Sequence, residues 1–143
     1  MAATRPDLLA VLHPVARALR RIEDEAAARH DLSMWQYAIL SVAADTPGLN
    51  QGEVARALQY SANRIIADLD TLEERGLIAR RAGADRRANV LELTAPGTAV
   101  RQRIQREIHE REDELLTGLS TTQQRQFRSV VGTLAKQLRS PDA

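Results

Sequence analysis

The stretch NQGEVARALQYSANRIIADLDTLEERGLIARRA, residues 50–82, decides the fold. Asn50 followed three residues later by Glu53 is a capping box, in which each side chain satisfies a backbone N–H at the start of a helix. The short helix it opens turns Val54, Ala55 and Leu58 inward and stops near Gln59. Ser61 is placed to cap the next helix, with Ile65, Ile66, Leu69 and Leu72 on one side and Gly76 where a left-handed residue ends it. Two helices at this spacing, joined by a turn of two or three residues, make a helix-turn-helix. At about 100° per residue, the second helix leaves Asn63, Arg64, Ala67 and Thr71 facing away from its apolar side. That face is polar, short and small, as a helix entering a DNA groove requires.

Beyond Gly76 the apolar period changes from helical to alternating. Leu77 to Ala82 and Asn89 to Thr94 read as two strands around the tip Gly83, Ala84, Asp85, Arg86, Arg87 and Ala88. Between Arg75 and Asn89 stand five arginines (Arg75, Arg80, Arg81, Arg86, Arg87) against Asp85, a local balance of +4. The hairpin therefore reads as a cationic finger. Glu107, Glu110, Glu112, Asp113 and Glu114 against Arg111 give −4 elsewhere, so the chain is polarised although its formal net charge is only +1.

Working outward, Leu8, Leu12, Val15, Leu19, Ile22 and Ala26 form a heptad seam on a first helix. Pro14 inside it predicts a break or kink near His13, because an interior proline costs about 3 kcal/mol. Ser33 and Gln36 form another capping box, opening a helix that carries Trp35, Ile39, Val42 and Ala43 and ends by Pro47 and Gly48. Thr94 caps a long helix with Pro96 in its first turn and a narrow seam of Val100, Ile104, Ile108, Leu115 and Leu119. Ser120 with Gln123 opens the last helix, which carries Phe127, Val130, Val131, Leu134 and Leu138. The order predicts a mainly α protein, a winged helix-turn-helix at 33–94, with N-terminal (1–32) and C-terminal (95–143) helices forming a dimerisation layer. Their seams need cover, and a second copy of the chain is the simplest partner.

Composition narrows the chemistry. Of 143 residues 43% are hydrophobic but only 3% aromatic, which points to a thin aliphatic helical core. With no cysteine, disulfides, thiolate nucleophiles and thiol redox sensing are excluded. His13, His30 and His109 are the only imidazoles and none stands three or four residues from another, so no metal site is expected. No phosphate loop, nucleophile elbow or zinc-protease signature is present, so neither an enzyme nor a cofactor is expected. No apolar run reaches membrane length and no basic, apolar leader opens the chain, so no membrane partner and a cytoplasmic location are expected.

The run Leu72-Glu73-Glu74-Arg75-Gly76-Leu77-Ile78, continuing through Asp85, Arg86 and Arg87 to Leu93-Thr94-Ala95-Pro96-Gly97, resembles the MarR family of bacterial transcriptional regulators. The resemblance extends over nearly the whole chain, and Asp, any residue, Arg at the wing is its most specific part. It implies a homodimer with intertwined terminal helices, bound to double-stranded DNA at a pseudo-palindromic operator. By position, Ser61, Asn63, Arg64 and Ala67 become the base-facing set. Arg87 becomes the residue inserted in the minor groove, Asp85 the carboxylate that orients it, and Arg86 a neighbouring contact. The two recognition helices are then expected to read half-sites about 34 Å apart.

The resemblance also implies control by a small aromatic or anionic effector between the helical layer and the winged helix, since cysteine-based sensing is closed to this chain. His13, Arg17, Trp35 and Tyr37 are the candidate ligand residues, offering an aromatic wall, a cation and a titratable donor. Plainer roles stand beside these: core for Trp35, an ion pair with Glu23 for Arg17. The functional expectation is a sequence-specific repressor. The alternative is a winged-helix scaffold that docks proteins, for which the outward helix face offers few large apolar anchors.

Overall fold

The computed structural model describes residues 4–82 and 89–139. The order is α1 (Leu8–Ala28), α2 (Met34–Asp45), α3 (Gln51–Leu58), α4 (Ala62–Glu74), β1 (Ile78–Ala82), β2 (Asn89–Leu93), α5 (Ala95–Leu115), a 3-10 turn (Leu116–Gly118) and α6 (Thr121–Arg139). The chain divides into two compact units, the first reaching Ile108 and the second starting at His109.

Local chemistry places most of these ends. In both predicted boxes of the first unit the two bonds are present: Gln36 N–H donates to Ser33 Oγ, and Glu53 N–H to Asn50 Oδ1, each answered by the reverse bond. Helix α3 stops because Gln59 turns left-handed at φ 52°, and α4 is followed by Gly76 at φ 71°. A side chain is disfavoured in that conformation, which is why glycine serves there. The hairpin is antiparallel with Ile78 opposite Leu93 and Ala82 opposite Asn89. Each strand is one residue shorter than predicted, because Leu77 and Thr94 are spent on a junction. Thr94 N–H donates to the Leu77 carbonyl at 3.2 Å, Thr94 Oγ1 donates to the Gly76 carbonyl at 2.6 Å, and Gly97 N–H donates to Thr94 Oγ1 at 3.0 Å.

The core of the first unit joins Ile22 and Ala26 of α1, Ile39 and Leu40 of α2, Val54 of α3 and Ile65, Leu69 and Leu72 of α4. Ile78, Leu91 and Ile104 close it. Burying an aliphatic side chain of this size stabilises by about 1.5 to 3 kcal/mol. Leu91 N–H also donates to the Leu49 carbonyl at 2.9 Å, and Asn50 bridges Val90, so β2 is held from both sides.

Two expectations fail here. Of the break or kink expected near His13, the break is absent, because helix α1 is continuous through Pro14. A proline removes only its own N–H bond, and Ala10, whose carbonyl loses that bond, lies on an exposed turn open to solvent. Ile66 does not share the buried side of α4; it is 43% exposed. It sits about 100° round the helix from Ile65, on the flank of the stripe that Ile65, Leu69 and Leu72 bury.

The second unit has its own local order. The third predicted box is present, Gln123 N–H donating to Ser120 Oγ and Gln123 Oε1 accepting from Ser120 N–H. Gln124 Nε2 donates to the carbonyls of Leu116 and Leu119, and Arg128 pairs with Asp113 at 2.9 Å. No residue of α6 is buried.

Candidate nucleic-acid interface

Helix α4 presents the expected outward face. Asn63, Arg64, Ala67 and Thr71 are all exposed, as is Ser61 at the N-cap. Ser61 holds the N-cap position as expected, but the side-chain cap expected of it is absent, and its hydroxyl makes no capping bond to the helix. Thr71 differs, because its hydroxyl donates back to the Ala67 carbonyl at 3.1 Å. Asp85, Arg86 and Arg87 lie outside the described residues; the strand pairing that leads to them closes at Ala82 and Asn89.

What holds α4 in place is a cluster that sequence reasoning missed. The Tyr60 ring stacks on Trp35 with centroids 4.6 Å apart and planes 11° from parallel. The Tyr60 hydroxyl donates to Asp68 Oδ2 at 2.7 Å, while Gln36 Nε2 donates to Asp68 Oδ1 at 3.2 Å. The same ring lies under Arg64, whose guanidinium carbon is 5.8 Å from its centroid, within cation–π range. Burial and the adjoining Asp68 carboxylate raise the Tyr60 hydroxyl above its ordinary value of 10.0. The signal was the lone pair of aromatics flanking two caps, Trp35 after Ser33 and Tyr60 before Ser61, in a chain that has almost no others.

The cationic finger needs correction in its described part. Arg75 is a strap: its Nη1 donates to the Asp31 carbonyl at 2.8 Å and its Nη2 to the His30 carbonyl at 3.0 Å. Arg80 crosses from β1 to α4, with Nη2 2.5 Å from Asp70 Oδ1 and Nε 3.0 Å from Glu73 Oε2. Hydrogen bonding from Arg80 holds the Glu73 carboxyl below the usual carboxylate range, and Glu73 in turn raises Arg80. Arg81 pairs with Glu92 on the neighbouring strand. Each of these guanidinium groups has a partner, and Asp70 and Glu73 of α4 are committed to the hairpin through Arg80.

The four ligand candidates fall in different settings. His13 and Arg17 are exposed on α1, Tyr37 is buried in the core, and Trp35 is half-buried against Tyr60. Trp35 and Tyr37 are two residues apart, about 200° round α2, so they face nearly opposite ways. A groove of about 520 Å3 does open elsewhere in this unit, between the end of α2, the hairpin and the start of α5, and none of the four lines it. Among the described residues no group of three or more His, Cys, Asp or Glu is arranged to hold a metal. Among them, too, no helix is long and apolar enough to cross a membrane.

A mainly helical chain with a paired hairpin after an outward polar helix is a winged helix-turn-helix protein. The MarR family profile matches residues 30–88. The CouR transcriptional repressor of Rhodococcus jostii RHA1, solved on a 23-mer DNA duplex, is 30% identical, with 90% of this chain and 92% of that one covered at a TM-score of 0.78. Rv2887 of Mycobacterium tuberculosis, solved with DNA, is 25% identical over 91% of this chain and 98% of that one, with a TM-score of 0.79. Rv2887 has also been solved with p-aminosalicylic acid. A Thauera aromatica protein named for regulation of the hcr operon is 34% identical over 85 residues, 59% of this chain and about half (51%) of that relative's length. The chain belongs to the MarR family.

Proposed function

We propose that the chain is a homodimeric, sequence-specific DNA-binding repressor, released by a small aromatic or anionic ligand and acting in the cytoplasm by binding, without catalysis. Residues 33–94 read the duplex, and the flanking segments 1–32 and 95–143 make the dimer. The observation that carries this reading is the exposed face of α4, where Asn63, Arg64 and Ala67 stand free of the core while Asp68, Asp70 and Glu73 of the same helix are turned to Tyr60 and Arg80. Asn63 and Arg64 supply donors for base edges and phosphates, and Ala67 allows close approach. Ile66 adds an apolar contact suited to a thymine methyl. Ser61 gives a hydroxyl at the helix start. Asp85, Arg86 and Arg87 are the proposed wing contacts, with Arg87 in the minor groove and Asp85 orienting it.

CouR and Rv2887 on DNA, and Rv2887 with p-aminosalicylic acid, support both halves of the proposal. The deciding experiment selects bound duplexes from a random pool, with and without aromatic acids. Enriched duplexes should carry two half-sites about one helical turn apart. A pool that stays random after repeated rounds refutes the assignment. Arg87→Ala should then weaken binding to the selected duplex by about 1 to 3 kcal/mol with the dimer intact. Log affinity against log salt should fall by about 0.9 for each phosphate neutralised.

A further inference from the structure

Tyr60 stands in the turn between α3 and α4 and is fixed from several directions. Its N–H donates to the Ala55 carbonyl at 2.9 Å, directly after Gln59 turns left-handed, so the end of α3 sets the backbone that carries the ring. Trp35 stacks on the ring, and Asp68 accepts from its hydroxyl. Arg64, exposed in the first turn of α4, rests its guanidinium over the same ring, 5.8 Å from the centroid. Helical spacing alone leads elsewhere. Arg64 and Asp68 are four residues apart, where a cation and a carboxylate ordinarily pair along a helix. Both oxygens of Asp68 are already taken, Oδ2 by Tyr60 at 2.7 Å and Oδ1 by Gln36 at 3.2 Å. Among the described residues Arg64 therefore has the ring and no ion pair or hydrogen bond. An aromatic ring holds a guanidinium through its positive charge and consumes none of its five N–H donors.

We propose that Tyr60 is a positioning residue for base readout: its ring holds Arg64 localised but not neutralised, so that the guanidinium fork meets O6 and N7 of a guanine at one position of each half-site. An arginine loose in solvent gives up rotamer freedom when it docks on a base, and one already resting on a ring gives up less. Guanine follows from the donors. Arg64 offers donors only, and the major-groove edge of guanine presents two acceptors side by side, whereas adenine and cytosine present an amino donor and thymine a single acceptor. Tyr60 thus sets specificity through Arg64, and Asp68 is kept from quenching that charge by the hydroxyl of the same ring and by Gln36. The inference rests on the DNA half of the function proposed above and adds to it a residue that acts through another.

The test uses the full chain and the duplex selected by the wild type, with each position changed in turn, symmetrically in both half-sites. Affinities are compared for the wild type, Arg64→Ala, Tyr60→Leu, Tyr60→Phe and the Tyr60→Leu, Arg64→Ala double variant. Arg64→Ala should remove a guanine preference of about tenfold or more at one position per half-site and leave the preferences elsewhere. Tyr60→Leu should lower the preference at that same position by about three- to fivefold, and Tyr60→Phe, which keeps the ring, should retain it. The double variant should lose no more there than Arg64→Ala alone. Should Tyr60→Leu fold poorly, the free wild-type protein gives a second readout, because the Tyr60 ring should shift the Arg64 side-chain proton resonances upfield. A guanine preference untouched by Tyr60→Leu, losses equal at every position, a Tyr60→Phe loss as large as that of Tyr60→Leu, or Arg64 protons at their ordinary positions overturns the inference and leaves DNA binding standing. A wild-type selection that stays random overturns the DNA reading itself.

Discussion

Tyr60 shows how one side chain serves two surfaces. Its ring is a platform for Trp35 below and Arg64 above, and its hydroxyl ties Asp68, a residue of the recognition helix, to the segment before it. Tyr60→Phe keeps the platform and deletes the bond to a carboxylate. It should cost about 1 to 2 kcal/mol, the lower range for a hydrogen bond to a charged group because the ring is half exposed. Thermal melts check that. The same bond sets a pH dependence. The folded hydroxyl titrates above 10.0, so its contribution is complete below pH 10 and fades as pH rises through the higher folded value. Wild-type melting temperatures should therefore fall above pH 10 more steeply than those of Tyr60→Phe. Parallel curves would show that the hydroxyl carries no such linkage.

Among the elements, the hairpin and α4 are joined by the Arg80 clamp. Glu73 titrates below its ordinary 4.5, so its share of the clamp is present above that pH and is lost as pH falls through the depressed folded value. Glu73 is exposed, and the effect on global stability is small. Arg80→Gln should lower stability by no more than about 1 kcal/mol while amide exchange in β1 and β2 accelerates. Unchanged exchange would mean the clamp does not hold the wing. The junction at the base of the hairpin is less forgiving. A Cβ on Gly97 would lie 2.0 Å from the Leu77 carbonyl oxygen and 2.9 Å from its carbon. Both are backbone atoms, so Gly97→Ala should destabilise by about 2 to 4 kcal/mol despite alanine's better helix propensity, as read by denaturant unfolding. These contrasts explain what was legible in the sequence. Ser33, Asn50, Ser120 and Thr94 were readable as caps because their partners lie three residues on. Arg75, Arg80 and Tyr60 were not, because their partners stand 44 to 45, 7 to 10, and 8 to 25 residues away and are chosen by packing. Counting arginines along the chain therefore overstated the free charge of the described part of the hairpin, while helical period alone placed Asn63, Arg64, Ala67 and Thr71 outward and misplaced only Ile66.

At the scale of the whole molecule the apolar faces left exposed need cover, each taken within its own unit. On α1, Leu8 and Leu9 are 72% and 75% exposed; on α6, Val130, Leu134 and Leu138 are 66%, 53% and 70% exposed. A helix with its apolar stripe in water gains nothing from that stripe, and marginal propensity alone does not hold 19 residues helical. In the proposed homodimer a second copy of the chain covers each of these faces and gives the repeated reading head that a pseudo-palindrome demands. Leu134→Asp and Leu12→Asp should each shift the chain from dimer to monomer in sedimentation at micromolar concentration. The melting temperature of the wild type should rise with protein concentration, as it must when association stabilises the folded state. Duplex affinity should fall with the dimer, and more steeply than for any single base contact, because both half-sites are lost as a unit. A wild-type chain that sediments as a monomer and still binds the selected duplex would remove the dimer from the mechanism, leaving α4 and the wing to act from one copy.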